Sequence, residues 1–390
     1  MNMILKKMMI EICLVVFKIL RIPRNVVILE SVPDFEGSPK CIAAEIERRY
    51  NGKYLFFWAV EKETCYSNNE HVLYFWGKVS LADKIRKYYY LLRTKLIIDS
   101  NRPVKKEYGK CFRVFTRHGG TLKKNDKYMK SLGKMDYVLS LSPFLADVDF
   151  KILQGISVTK KSQVLCLGYP ANDMLFADFD LYNCDLLKGK RYRKIVAWLP
   201  TFRNHKNGDE SISLEKTNLY SMPIVHNMED LKTLNQALQK INVLLILQLH
   251  PAQIAVMPKD EFSHICYLTP EKKKANGIET PNLLHCADAL ITDYSAAYYE
   301  YILLNKPIGL SIDDVKEYTE KIGFYINYDE VICGARLSNL EDMISFLTDV
   351  AHDCDSYYNE RNRSLKKIHQ YVDGRSTERV VDFMAKEMDL

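Results

Sequence analysis

Four short clusters in this sequence combine side chains that bind phosphate with side chains that move protons. The first is Arg117-His118-Gly119-Gly120-Thr121-Leu122-Lys123-Lys124. An imidazole titrates near neutral pH and suits a general base, which makes His118 a candidate catalytic residue. The paired glycines let backbone approach a ligand closely, and Lys123 beside them supplies positive charge. A loop histidine making a single hydrogen bond is the ordinary alternative, and the glycines and lysines weigh against it. The second cluster, Pro200-Thr201-Phe202-Arg203, offers a hydroxyl and a guanidinium, both good partners for phosphate. The third is His250-Pro251, where proline ends an apolar run and leaves the imidazole at its end. In the fourth, Thr292-Asp293-Tyr294-Ser295-Ala296, Ser295 suits the N-cap of a helix reaching Leu304, and the free N–H groups of a helix N-terminus attract phosphate. Plain capping is the bland reading of that serine. The Asp147-Val148-Asp149 triplet has the form of a metal-binding pair but no partner motif, so no metal is expected. His264 and His285 read as structural.

Each cluster follows a short apolar, β-rich run. The runs of the first half are Val26–Glu30, Tyr54–Val60, Val72–Trp76, Leu96–Ser100, Phe112–Thr116, Tyr137–Ser142 and Gln163–Leu167. Those of the second half are Ile195–Leu199, Val243–Leu249, Ile265–Leu268, Ala289–Thr292 and Ile308–Ser311. Helical patterns such as Lys40–Tyr50, Leu81–Arg93, Glu229–Ile241 and Ala296–Leu304 separate them. Near-continuous apolar strands alternating with helices predict parallel sheets covered on both faces. The expected fold is α/β, two doubly wound Rossmann-like domains facing a central cleft, with ligands at the carboxyl ends of the strands. The expected division is a basic helix over 1–24, an acceptor-side domain over 25–180 and a donor-binding domain over 181–390.

A chain of 390 residues exceeds what one core usually supports, in keeping with two domains. At 47% hydrophobic and 27% charged it is a folded chain, which excludes disordered and low-complexity classes. Its ten cysteines form no CxxC pair, so neither a zinc site nor a redox dithiol is indicated, and they read as buried thiols of a reducing compartment. Between Arg102 and Lys134 eleven Lys and Arg are opposed only by Glu107 and Asp126, a local excess of nine positive charges. Such a field favours an anionic substrate or a membrane surface. No recognised nucleic-acid module accompanies it, so nucleic acid is not an expected partner. The first 24 residues carry five basic side chains against Glu11, and Ile12 to Phe17 is too short to span a bilayer. A basic, apolar helix of that kind can lie in the headgroup layer.

Taken in order, the clusters resemble the CDP-glycerol glycerophosphotransferase family of teichoic-acid and capsule synthesis. The family's WHG-T-P-L-K loop is similar to Arg117 to Lys123, its G-Y-P-R-N-D to Gly168 to Asp173, its P-T-[WF]-R to Pro200 to Arg203, and its H-P to His250-Pro251. Thr292-Asp293-Tyr294-Ser295, Lys306-Pro307-Ile308, Asp314 and Tyr318 fall at the family spacing without gaps, and Gly323-Phe324-Tyr325 and Asp373-Gly374-Arg375-Ser376 extend the match. Gly37-Ser38-Pro39-Lys40 stands where a first acceptor-side loop would be. The departures are Arg117 for tryptophan, Thr121 for proline, Ala171 for arginine, Ala296 for serine and Glu300 for aspartate.

The resemblance implies a GT-B-like fold and transfer of a polyol phosphate from CDP-glycerol or a related CDP-alcohol to a hydroxyl of a membrane-linked or polyol-phosphate acceptor, releasing CMP. It implies His118 and His250 as catalytic residues, with Gly119, Gly120, Lys123, Thr201, Arg203, Asp293, Ser295 and Glu300 binding substrate and no cofactor. The implied location is the cytoplasmic face of the membrane, peripherally bound. A GT-B glycosyltransferase using a nucleotide sugar, or a non-catalytic subunit of envelope-polymer assembly, would share many of these residues. The released nucleotide separates the first, and turnover of any CDP-alcohol excludes the second.

Overall fold

Every apolar run expected to be a strand is one. The structure, a computed structural model, describes residues 3–61, 71–104, 111–117, 119–201, 222–249 and 262–390, with backbone alone for residues 3–7, 9 and 10. Its strands are β1 (Val26–Glu30), β2 (Leu55–Glu61), β3 (Val72–Trp76), β4 (Thr94–Asp99), β5 (Phe112–Phe115), β6 (Tyr137–Ser140), β7 (Val164–Cys166), β8 (Lys194–Leu199), β9 (Val243–Leu247), β10 (Ile265–Tyr267), β11 (Ala289–Thr292), β12 (Ile308–Ser311) and β13 (Ala335–Leu337). The last is not foreseen in the sequence, because three residues with an exposed Arg336 at the centre carry no apolar run. The chain clusters into two compact units, one of Met1–His118, Asp126–Asp173 and Asp373–Leu390, the other of Gly119–Asn125 and Met174–Val372.

The first unit holds a parallel sheet in the order β3-β2-β1-β4-β5-β6-β7. Strand β1, Val-Val-Ile-Leu-Glu, is buried along its whole length, as an apolar run covered on both faces must be. The order grows outward from β1 to β3, returns to β4 and runs on to β7, so the winding reverses between β1 and β4. Helix starts follow the chemistry of capping. Ser80 Oγ accepts the Asp83 N–H ahead of helix Leu81–Arg93, and Ser142 Oγ accepts the Leu145 N–H ahead of helix Pro143–Leu153.

Two side chains of the basic stretch are internal. Arg113 Nε donates to Asp99 Oδ2 at 2.9 Å, and Arg117 Nη1 donates to Asp149 Oδ1 at 2.9 Å, with all four residues buried. Ser140 Oγ donates to the other oxygen of Asp149 at 2.7 Å. The positive field read from the sequence is therefore smaller by these two guanidiniums. The same pair accounts for two sequence features at once: arginine stands at 117 because Asp149 lies beneath it, and the Asp147-Val148-Asp149 triplet is engaged, with Asp147 pairing Lys161. Among the described residues, no group of three or more His, Cys, Asp or Glu could hold a metal ion.

The C-terminal helix Ser376–Met388 packs on helix Gly37–Tyr50, with Arg49 paired to Asp382 at 2.5 Å. Its N-terminus is held by the Asp173 carboxylate, which accepts the N–H groups of Ser376 at 2.9 Å and Thr377 at 2.7 Å. Where the sequence groups 181–390 as one domain, the last 18 residues, Asp373–Leu390, thus cluster with the first unit. The Gly168-to-Asp173 and Asp373-to-Ser376 motifs meet here. Gly168 takes φ +81, and a β-carbon on it would lie 2.4 Å from Ser376 Oγ.

The second unit holds a parallel sheet in the order β10-β9-β8-β11-β12-β13, with its reversal between β8 and β11. One face packs on helices Met228–Ile241 and Leu340–Ala351 through Trp198, Leu234, Leu238, Leu245, Met343 and Leu347. The nine described cysteines are free thiols as expected, but only Cys111 is buried; seven are half-buried and Cys354 is exposed. Among the described residues no helix is long and apolar enough to cross a membrane.

Candidate active site

The reversal of the second sheet brings Leu199 and Thr292 side by side at the carboxyl ends of β8 and β11. The residues that follow them, Pro200-Thr201 and Asp293-Tyr294-Ser295, were two separate clusters in the sequence and form one locus here. Asp293 ties them together. Its Oδ2 accepts the Thr201 N–H at 2.8 Å, and its Oδ1 accepts the Thr201 hydroxyl at 2.6 Å and the Tyr294 N–H at 2.5 Å. Asp293 is fully buried, and its carboxylate fixes the two loops to each other. Thr201 and Ser295 remain partly open.

The serine's local role differs from the expected cap. The helix runs Ala297–Tyr301 and continues as a tight turn over Ile302–Leu304, with Ala296 in the N-cap position. Ser295 Oγ accepts the Ala297 N–H at 3.3 Å from the position just before the cap, so the bond reaches the first helical residue. It steadies the turn into the helix, and among the described residues no acceptor takes the hydroxyl proton.

The glycine loop belongs to this same unit. Gly119 has φ +77, open to glycine at no cost, and a β-carbon there would lie 2.0 Å from the Ala296 β-carbon. At Gly120 it would fall 2.4–2.8 Å from the Tyr299 ring. Both glycines are therefore required by close packing of the loop on the helix Ala297–Tyr301. The family's serine is replaced at 296 by a methyl group that is this contact. Beyond the glycines the loop is stitched down: Tyr299 Oη donates to Thr121 O at 3.3 Å, Tyr325 N–H to Leu122 O at 2.8 Å, and Lys124 N–H to Gly323 O at 3.1 Å. Lys123 bridges Phe324 in antiparallel fashion. The anchoring segment rests on an aromatic stack in which Tyr294 and Tyr318 lie 3.7 Å apart and Phe324 sits 5.6 Å from Tyr318. Tyr294 Oη donates to Asp314 Oδ1 at 2.7 Å, so three residues noted only for their spacing act as one support.

Next to the loop, a cavity of about 630 Å³ is lined by Lys124, Lys316, Thr319, Phe324, Tyr325 and Arg336 among others. Beneath the helix, His369 is buried and neutral, because burial lowers it to about 4, and its Nε2 lies 2.6 Å from Tyr299 O. Glu300 is half-buried one turn beyond Ala296, on the face that meets the loop. It has no ion-pair partner among the described residues, and burial pushes its carboxyl up to about 7.

Of the sequence-derived site residues, Gly119, Gly120, Lys123, Thr201, Asp293, Ser295 and Glu300 gather in the second unit around the β8/β11 edge and the helix that follows it. His118, Arg203 and His250 lie outside the described residues. Sequence reasoning missed Tyr299, whose signal is faint: one tyrosine of a Tyr-Tyr pair, distinguished only by the two glycines it faces. His285 Nδ1 lies 2.9 Å from Leu175 O and His264 Nδ1 2.9 Å from Ser263 Oγ.

The sequence profile of the CDP-Glycerol:Poly(glycerophosphate) glycerophosphotransferase family matches residues 12–386. The chain is 25% identical over 372 residues to the teichoic acid glycerol-phosphate primase of Bacillus subtilis (strain 168), a match covering 90% of this chain and 89% of that protein. Among solved structures it resembles the wall teichoic acid polymerase TagF, with a TM-score of 0.66 at 15% identity over 99% of this chain and 98% of that one. It also resembles the UDP-GlcNAc 2-epimerase of Methanocaldococcus jannaschii, with a TM-score of 0.51 at 13% identity over 93% and 99% of the two chains. These structural likenesses, with the two parallel sheets, show a GT-B-like pair of Rossmann-like domains.

Proposed function

The chain belongs to the CDP-glycerol:poly(glycerophosphate) glycerophosphotransferase family, whose members move a polyol phosphate from a CDP-alcohol to a polymer acceptor, and we propose that it transfers glycerol phosphate from CDP-glycerol to an acceptor hydroxyl in teichoic acid or capsule synthesis. The observation that carries the reading is the assembly of the Thr201, Asp293-Ser295 and Gly119-Gly120 clusters at one strand-end locus of the second unit.

In this reading the acceptor oxygen attacks the phosphorus that bears glycerol, the bond from that phosphorus to the CMP oxygen breaks, and CMP leaves with the electron pair. His118, next in the chain to Gly119, takes the proton of the attacking hydroxyl. Such a reaction needs in-line positioning and charge stabilisation more than covalent help. Ser295 contributes a hydroxyl to the donor diphosphate, Arg203, His250 and Lys123 contribute donors and positive charge, and Thr201, whose own proton goes to Asp293, borders the donor at the strand end. Asp293 is assigned the positioning of Thr201.

The acceptor is taken to be anionic and carried by a membrane. Helix Met3–Ile19 exposes Met8, Ile12, Val15, Val16 and Ile19, and helix Leu81–Arg93 exposes Leu81, Ile85, Tyr88 and Tyr89. The two helices meet, Phe17 lying edge-on to Tyr89 at 5.8 Å. Exposed Lys18, Arg21 and Lys84 border this apolar face, as suits an anionic headgroup layer at the cytoplasmic side.

The deciding experiment supplies CDP-glycerol, CDP-ribitol and UDP-sugars to purified protein with membranes as acceptor and identifies the nucleotide released. CMP from a CDP-alcohol supports phosphoryl transfer, and a nucleoside diphosphate from a UDP-sugar refutes it. His118→Ala should lower turnover by roughly 10²–10⁴-fold with CDP-glycerol still bound. Wild-type activity in that variant removes His118 from its role.

A further inference from the structure

Glu30 is the last residue of β1 and Asp99 the last of β4, the neighbouring strands between which the first sheet reverses its winding. At such a reversal the connections leave to opposite faces, and the carboxyl edge opens a crevice that takes ligands. In each of the two carboxylates there one oxygen accepts two donors while the other, Asp99 Oδ1 or Glu30 Oε1, has no hydrogen-bond partner among the described residues, and only Asp99 is paired to a cation, Arg113. Asp99 Oδ2 accepts Arg113 Nε–H and the Val104 N–H, each at 2.9 Å. Glu30 is 1% exposed, and its Oε2 accepts the N–H groups of Ser100 at 3.2 Å and Asn101 at 2.9 Å. Its Oε1, equally buried, has no hydrogen-bond partner among the described residues. Among the described residues the nearby cations are engaged elsewhere: Arg113 with Asp99, Arg117 with Asp149 and Arg102 with Glu61. A buried acceptor left unsatisfied opposes folding, and native proteins keep few of them unless a proton, water or ligand completes the set.

We infer that Glu30 Oε1 receives a hydroxyl of the acceptor, which makes the β1/β4 edge a polyol- or sugar-hydroxyl site of the first unit. The inference rests on the transferase reading for the identity of the acceptor. A hydroxyl fits better than an ammonium. Burial raises the Glu30 carboxyl to about 7, against the pull of the amides of Asn101, Arg102 and Ser100, so near neutral pH both protonation states are populated. A hydroxyl can donate to the carboxylate and accept from the acid, whereas an ammonium serves the carboxylate alone. Among the described residues, the other charged or titratable groups around it are Asp99, the Arg113 and Arg117 ion pairs, and Tyr128, whose hydroxyl donates to Asn101 O at 2.8 Å.

Glu30→Gln keeps the shape and the oxygen that the Ser100 and Asn101 amides need. Steady-state kinetics with a water-soluble glycerol-phosphate oligomer as acceptor should show its KM raised roughly tenfold or more, with KM for CDP-glycerol and kcat within about twofold of wild type. The acceptor KM of the wild type should change across pH 6 to 8 about the Glu30 titration near 7, and that of the variant should not. An unchanged acceptor KM and pH profile overturns the inference, as does a uniform loss in all parameters with a lowered melting temperature, which marks a purely structural carboxyl. Calorimetric binding of the same oligomer without donor separates the two readings. Weakened binding in Glu30→Gln supports the site even if no CMP is released, and equal binding in both proteins sinks it.

Discussion

Gly119→Ala tests the seat of the glycine loop directly. At φ +77 an alanine costs about 1–2 kcal/mol relative to glycine. Its β-carbon would also stand 2.0 Å from that of Ala296, whereas carbon atoms in contact rest about 3.5–4.0 Å apart. Neither atom is the end of a flexible side chain, so backbone must move, and overpacking of this kind costs about 1–3 kcal/mol. The sum, about 2–5 kcal/mol, is divided between strain in the second unit and lifting of the loop. The loop is short and held by few hydrogen bonds, so lifting is the cheaper response. CMP release should then fall at least roughly a hundredfold, and the melting temperature should drop by about 4–20 °C, at about 2–4 °C per kcal/mol for a unit of this size. Ala296→Gly supplies the control. With that methyl gone, the nearest atom to the new β-carbon is the 296 Cα at 3.5 Å, an ordinary contact. The double variant should therefore recover all but the φ cost, a favourable coupling of about 1–3 kcal/mol in the double-mutant cycle. Wild-type activity and stability in Gly119→Ala, or zero coupling to Ala296→Gly, would refute the packing of loop on helix.

Glu300 predicts a pH dependence of stability. Burial raises its carboxyl from the usual 4.5 to about 7, so the folded state holds a proton that the unfolded chain releases. Its contribution is fully present below 4.5 and is lost as pH rises through about 7, a change on the order of 2–3 kcal/mol. The fall in melting temperature between pH 5 and 8 should be several degrees smaller in Glu300→Gln, and identical slopes refute the burial argument. For the exposed face of Met8, Ile12, Val15, Val16 and Ile19, flotation with vesicles containing anionic lipid should capture the wild type. Ile12→Asp with Val16→Asp should release it without altering CMP release from a soluble acceptor, and undiminished flotation excludes this face.

Much of the architecture is legible in the residues. A buried parallel strand must be apolar on both faces, so twelve of the thirteen strands among the described residues announce themselves as apolar runs, and β13 escapes because an edge strand with an exposed arginine at its centre need not. The strand-end clusters are legible for a related reason: Thr201, Asp293 and Ser295 are polar residues interrupting apolar runs where a doubly wound sheet exposes its carboxyl edge. Local chemistry also identifies Gly119 and Gly120 as positions needing room, though not what crowds them.

What the linear order of residues determined is set by local rules: hydrophobic period, capping, turn chemistry and the motif order that places the chain among polyol-phosphate transferases. Tertiary structure alone decided the partners. Arg117 and Arg113 looked like surface charge until Asp149 and Asp99 came to lie against them, and Ser295 looked like a cap until the helix began one residue later. Glu30 reads as the charged end of a strand, and only burial beside β4, 70 residues along the chain, leaves one of its oxygens without a donor. The physical reason is that a side chain's charge state and hydrogen bonds depend on what desolvates it, and those groups come from distant parts of the sequence.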